Sequence, residues 1–143
     1  MLSYLAMAIE VQNENTFRAA LSDALNVFLG AGFSVLAKNS AGKSMPVGDI
    51  LKTELTKEFE LDDLSALSLA QVCAIIESTQ SERLRKFLAD RFTVKSFDTR
   101  YRVLERVAIK TIFTTNVDDL VHKIYADSDR YYVRDVMLRG PAF

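Results

Sequence analysis

The chain has one cysteine, one histidine, two prolines and no tryptophan in 143 residues, and its charges nearly cancel to a net of −1. Each scarcity closes off a class of function. A single thiol, Cys73, excludes an internal disulfide and a cysteine-cluster metal site. Its setting, Val72-Cys73-Ala74-Ile75-Ile76, predicts a buried and inert thiol. His122 has no ligand partner at metal-binding spacing, so no metal, zinc included, is expected. It sits among Leu120, Val121 and Ile124 and reads as a partly exposed helix residue rather than a catalytic base. Without a basic excess there is no electrostatic case for direct nucleic-acid binding. Arg83, Arg85, Lys86 and Arg91 are interleaved with Glu82 and Asp90 and read as a solvated helix face. No apolar run approaches about eighteen residues, so no membrane span is expected. Glu10 and the lack of a basic leader argue against a signal peptide. A soluble cytoplasmic protein is the expectation.

What the chain does have is apolar mass. Hydrophobic residues make up 49%, which speaks against disorder, and the length suffices for one packed domain. Phe17, Leu21 and Leu25 recur at i, i+4, i+8 and predict a helix over 15–25, followed by a strand over 26–29. Leu51, Leu55 and Phe59 repeat that spacing and predict a helix starting close to Pro46, a residue suited to a first turn. The stretch 62–107 reads as wholly helical. Asp62 and Asp63 are candidate caps, Thr79 with Glu82 has capping-box spacing, and a last helix is expected over 99–107. A second strand is predicted over 109–114, a helix over 117–125 and a third strand over 131–138. The fold class is therefore α/β, with a large helical insertion at about 47–107 interrupting the usual strand–helix alternation.

Chemistry concentrates at the two predicted strand ends. Val27-Phe28-Leu29 runs into Gly30-Ala31-Gly32-Phe33-Ser34, and Ile112-Phe113 runs into Thr114-Thr115-Asn116-Val117-Asp118. In a parallel sheet both carboxyl ends share one edge, where ligands of open α/β folds bind. Glycines at 30 and 32 allow close approach of a pyrophosphate, although Val35 stands where the dinucleotide fingerprint has its third glycine. A plain turn after a buried strand explains the same residues. Asn116 and Asp118 are equally open to two readings: caps of the next helix, or groups that orient water, a ribose hydroxyl or a carboxamide. A third candidate is Ala37-Lys38-Asn39-Ser40-Ala41-Gly42-Lys43-Ser44, a relaxed P-loop that would make the chain an NTPase acting through Lys43.

Taken together, the two strand-end motifs resemble the sirtuin superfamily, with its Gly-Ala-Gly-x-Ser and Thr-Gln-Asn-Ile-Asp signatures. They are closer still to the bacterial sirtuin-like domains at the N-termini of anti-phage defence proteins. The resemblance spans about residues 26–125. It implies an incomplete Rossmann-like NAD-binding domain over 1–143. It places Gly30, Ala31, Gly32 and Ser34 around the NAD phosphates and ribose, with Phe33 as a pocket wall and Pro46 in the flexible cofactor loop. Thr115 stands at the signature's glutamine position beside the site, Asn116 matches the catalytic asparagine, and Asp118 matches the aspartate that recognises the nicotinamide amide.

The departures shape the expected activity. Pro46-Val47-Gly48-Asp49 replaces the deacylases' Pro-Asp-Phe-Arg, and one cysteine cannot build their four-cysteine zinc module. NAD hydrolysis with nicotinamide release, as in the defence members, is expected in place of deacylation. The family's histidine segment has no counterpart in 125–143, and the family sheet needs about six strands. The 143 residues are therefore expected to be part of a longer, self-associating NAD hydrolase, inactive alone. The alternative is a non-catalytic module that senses NAD or ADP-ribose, or assembles around it.

Overall fold

The computed structural model describes residues 12–61 and 66–129. Helix α1 (Glu14–Ser22) leads into strand β1 (Leu25–Leu29), and a 3-10 turn follows over Ala31–Leu36. Next come α2 (Gly48–Glu58), the long α3 (Leu69–Phe92), a second 3-10 turn (Thr99–Arg102), α4 (Val103–Arg106), β2 (Ile109–Thr114) and α5 (Leu120–Ile124). The architecture is mixed α/β. The two strands pair in parallel with Val27 opposite Ile112 and Leu29 opposite Thr114. This agrees with a partial Rossmann-like fold.

Strand side chains alternate between faces. Ile112 lies against the core cluster of Ala37, Met45, Val94, Tyr101, Leu120, Ile124 and Tyr125. The opposite face carries Phe28 and Phe113, stacked with ring centroids 4.9 Å apart and largely exposed. Helix α1 buries none of its residues among those described, and Phe17 and Leu21 stay open. A second cluster joins α2 to α3 through Leu51, Leu55, Phe59, Val72, Ile76 and Leu84, with Phe92 packed against both clusters.

Several expected boundaries move, each for a local reason. Helix α2 starts at Gly48, two residues past Pro46, because the chain stays extended through Val47 (ψ 166°). Met45 N–H, just before it, is tied to the Ala37 carbonyl at 3.0 Å. The helix ends with Glu60 in the left-handed region (φ 50°). Leu61 N–H bonds the Thr56 carbonyl and Glu60 N–H that of Lys57, at 3.0 and 3.4 Å, the pairing of a Schellman stop.

Helix α3 is opened by Ser68 and Gln71, which form a reciprocal capping box. The expected box at Thr79 and Glu82 is absent, and Thr79 lies inside the helix. The break foreseen there survives as a kink, since Gln80 leaves helical geometry (φ −139°, ψ 43°). The expectation that 62–107 is wholly helical fails at 93–98. Lys38 draws that segment into extended pairing: Lys38 N–H donates to the Ser96 carbonyl, and Lys95 N–H donates back to the Lys38 carbonyl, both at 2.8 Å. Helix α5 is shorter than expected because Asp118 and Asp119 precede it in non-helical turns. Asp62, Asp63 and the expected strand 131–138 lie outside the described residues.

Candidate functional site

Parallel pairing sets the ends of β1 and β2 side by side. Thr115 N–H reaches the Leu29 carbonyl at 3.3 Å, continuing the ladder one step past the strands. Beyond it the chain turns: Thr114 Oγ1 accepts Asn116 N–H at 3.0 Å, a local side-chain turn that swings Asn116 across the strand ends. Asn116 Nδ2 then donates to Ser34 Oγ at 2.9 Å. That bond spans the two motifs and ties the glycine turn to the asparagine. Asn116 Oδ1 is buried and has no hydrogen-bond partner among the described residues.

The glycine turn is built for access. Gly30 is extended (φ −112°, ψ 177°) and caps the 3-10 turn, its carbonyl accepting Phe33 N–H at 2.8 Å. A Cβ added at Gly30 or Gly32 meets no atom within 4 Å, and neither glycine has positive φ. Gly30, Ala31 and Gly32 are exposed, whereas Ser34 is turned inward and buried. Phe33 is half-buried, edge-on to Tyr101 with centroids 4.9 Å apart. Pro46 is buried after Met45.

Tyr101 is a site neighbour that sequence reasoning missed. Its hydroxyl donates to the Phe33 carbonyl at 2.5 Å and accepts Leu36 N–H at 3.2 Å, pinning the middle and the last residue of the 3-10 turn. Burial pushes its pKa up, and the charges of Asp118 and Asp98 add to that, while the Leu36 hydrogen bond opposes it. Nothing in its sequence setting signals a partner 68 residues away. Asp98 organises the turn that carries Tyr101. Its carboxylate accepts Arg100 N–H at 2.8 Å, and the Arg100 side chain holds its pKa down to about 2.

The two aspartates after Asn116 do structural work. Asp118 Oδ1 accepts Leu120 N–H at 3.1 Å at the start of α5. Asp119 Oδ1 accepts Val94 N–H at 2.6 Å and fastens the extended segment after α3. Thr115 is exposed at the edge, and His122 is exposed on α5. An open, mostly apolar cleft of about 430 Å³ runs beside this loop, lined by Leu51, Cys73, Leu88, Phe92, Val117 and Asp119. Cys73 is half-buried there, not fully buried as expected. Desolvation, and secondarily Glu77, raise its pKa and keep the thiol protonated.

The relaxed P-loop reading fails on geometry. Asn39 is buried, and its Oδ1 accepts the amides of Ala41 and Lys43 at 3.1 and 3.0 Å, while its carbonyl accepts Gly42 N–H at 3.0 Å. Amides that a phosphate would need are consumed by the turn itself. No helix starts at Ser44. Among the described residues no group of three His, Cys, Asp or Glu is placed to hold a metal. No described helix is long and apolar enough to cross a membrane.

The chain resembles a known hydrolase in sequence. It is 30% identical over 132 residues to the protein named NAD(+) hydrolase ThsA from Cytobacillus dafuensis. The match takes in 89% of this chain and 25% of that protein, so the chain spans about a quarter of the relative's length. No family model matches the chain, and no solved structure matches it. A stretch covering 89% of the chain includes both strand-end motifs, so the likeness concerns the same region as the site.

Proposed function

We propose that this chain is the sirtuin-like, NAD-binding part of an NAD+ hydrolase of bacterial anti-phage defence. The observation that carries the reading is Asn116. Its amide nitrogen is held by Ser34, while its buried oxygen has no donor among the described residues. An unsatisfied buried acceptor costs about 1–3 kcal/mol, and a ligand hydroxyl or water that donates to it recovers that cost. The likeness to an NAD(+) hydrolase supports NAD as the substrate.

In this reading the pyrophosphate lies along the exposed backbone of Gly30 to Gly32, which no side chain obstructs. Asn116 Oδ1 accepts from a ribose hydroxyl or from the attacking water. The bond between the ribose C1′ and the nicotinamide nitrogen breaks, its electron pair leaves with nicotinamide, and positive charge develops on the ribose. Water adds at C1′ and loses a proton, giving ADP-ribose. The transition state is that of glycoside hydrolysis. Asn116 contributes by orientation, not by proton transfer. Asp118 accepts from the nicotinamide carboxamide with the carboxylate oxygen that does not bond Leu120 N–H.

The test is to incubate the full-length polypeptide carrying this chain with NAD+ and measure nicotinamide and ADP-ribose. Stoichiometric release, lost in Asn116→Ala, is expected. Saturable NAD binding without release points to the sensor reading. No binding at all overturns both.

A further inference from the structure

Arg91 was expected on a solvated helix face, yet it is buried, at 6% exposure. Its Nε and Nη2 meet the Glu54 carboxylate at 2.6 and 3.1 Å, a two-point contact between α3 and α2. Nη2 also donates to the Ser44 carbonyl at 2.7 Å. Nη1 is buried with no acceptor among the described residues. Burying a charged pair carries a large desolvation cost, and apolar residues of similar size hold two helices together as well or better. Helix packing alone therefore does not account for the pair. The contact that an apolar pair cannot reproduce is the one to Ser44.

Ser44 sits at the end of a relay of backbone contacts that leads to the site. The next residue, Met45, donates its N–H to the Ala37 carbonyl at 3.0 Å, and Ala37 N–H bonds the Ser34 carbonyl at 2.9 Å. Ser34 Oγ accepts from Asn116 at 2.9 Å. Asn39, buried in the same loop, points its amide at the Asp90 carbonyl one residue before Arg91, at 3.5 Å. Segment 34–46 is thus held at one end by Asn116 and at the other by Arg91.

We propose that Arg91, oriented by Glu54, is a positioning residue that clamps the Ser34–Pro46 segment against the nucleotide site, so that the helical pair α2–α3 sets the affinity for NAD. The proposal rests on the NAD reading above, but the clamp itself has a readout independent of NAD.

The experiment compares wild type with the double variant Glu54→Leu, Arg91→Met in the full-length polypeptide. Replacing both partners removes the buried charge and leaves thermal stability close to wild type, but it also removes the donor to Ser44. Amide hydrogen exchange at Ala37 and Met45 is expected to speed up by about tenfold or more, since both bonds lose their anchor. KM for NAD is expected to rise about tenfold with kcat nearly unchanged. Arg91→Lys keeps a positive charge beside Glu54 but lacks the planar fork that spans Glu54 and Ser44 together, and shows the same two changes in smaller degree. Wild-type exchange at Ala37 and Met45 in both variants overturns the clamp. If wild type neither binds nor cleaves NAD, the functional reading falls and the exchange data alone decide the clamp.

Discussion

Asn116 and Ser34, 82 residues apart in the chain, meet through a 2.9 Å hydrogen bond that closes the gap between the ends of the two strands. Ser34 is buried at 1% exposure, and its hydroxyl holds the asparagine amide in place. Ser34→Ala strands the Asn116 amide and is expected to cost about 1–3 kcal/mol in urea unfolding. Nicotinamide release should fall by up to about a hundredfold, because small misplacements of an orienting group are costly. Asn116→Ala should abolish release. Full turnover in Ser34→Ala removes the positioning role.

Gly32 is expected to behave in the opposite way. No neighbour obstructs a Cβ there and its φ is not positive, so the fold does not require glycine. Gly32→Ala should leave stability unchanged or raise it by about 0.4–1 kcal/mol through the unfolded chain. NAD affinity, measured by calorimetry, should nonetheless drop about tenfold or more, since the methyl occupies the path of the pyrophosphate. Unchanged affinity means the ligand does not approach this backbone.

Glu60 separates fold from function. It closes α2 in the left-handed region (φ 50°), which costs a residue with a Cβ about 1–2 kcal/mol and glycine almost nothing. Glu60→Gly should therefore raise the urea midpoint by the equivalent of about 0.5–1 kcal/mol after glycine's larger unfolded-state entropy is counted. Nicotinamide release should not change. A lower midpoint contradicts the Schellman stop.

The local signals in the sequence carried furthest where one element decides the outcome. Strand β2 falls on its expected span, and the Leu51, Leu55, Phe59 stripe of α2 is buried as its period implies. What sequence could not reveal are contacts whose two halves lie far apart. The Arg91 environment offers alternating charges and nothing to show that Glu54, 37 residues earlier, draws it inward. Lys38 turns 93–98 from helix to extended chain in the same way, through a partner more than fifty residues away. At the site, both readings of Asp118 had been open. Its bond to Leu120 N–H forms a side-chain turn just ahead of α5, whose N-cap is Asp119, and its ligand role rests on the proposal above.

Tyr101 gives a prediction in pH. Burial raises its pKa above the ordinary value of 10.0, so the folded protein holds the phenol proton more tightly than the unfolded chain does. The sign follows from linkage: this stability is present in full below the unfolded pKa and is lost as pH rises through the folded one. Wild type should lose stability between about pH 9 and about pH 11 more steeply than Tyr101→Phe, which lacks this phenol. Near neutral pH the variant should be less stable by about 1–3 kcal/mol, because the Phe33 carbonyl and Leu36 N–H lose a shared partner. Urea midpoints across that range are the measurement. Parallel curves for the two proteins would mean the phenol is not buried against the glycine turn, and the link from Tyr101 through Phe33 to Ser34 would be lost with it.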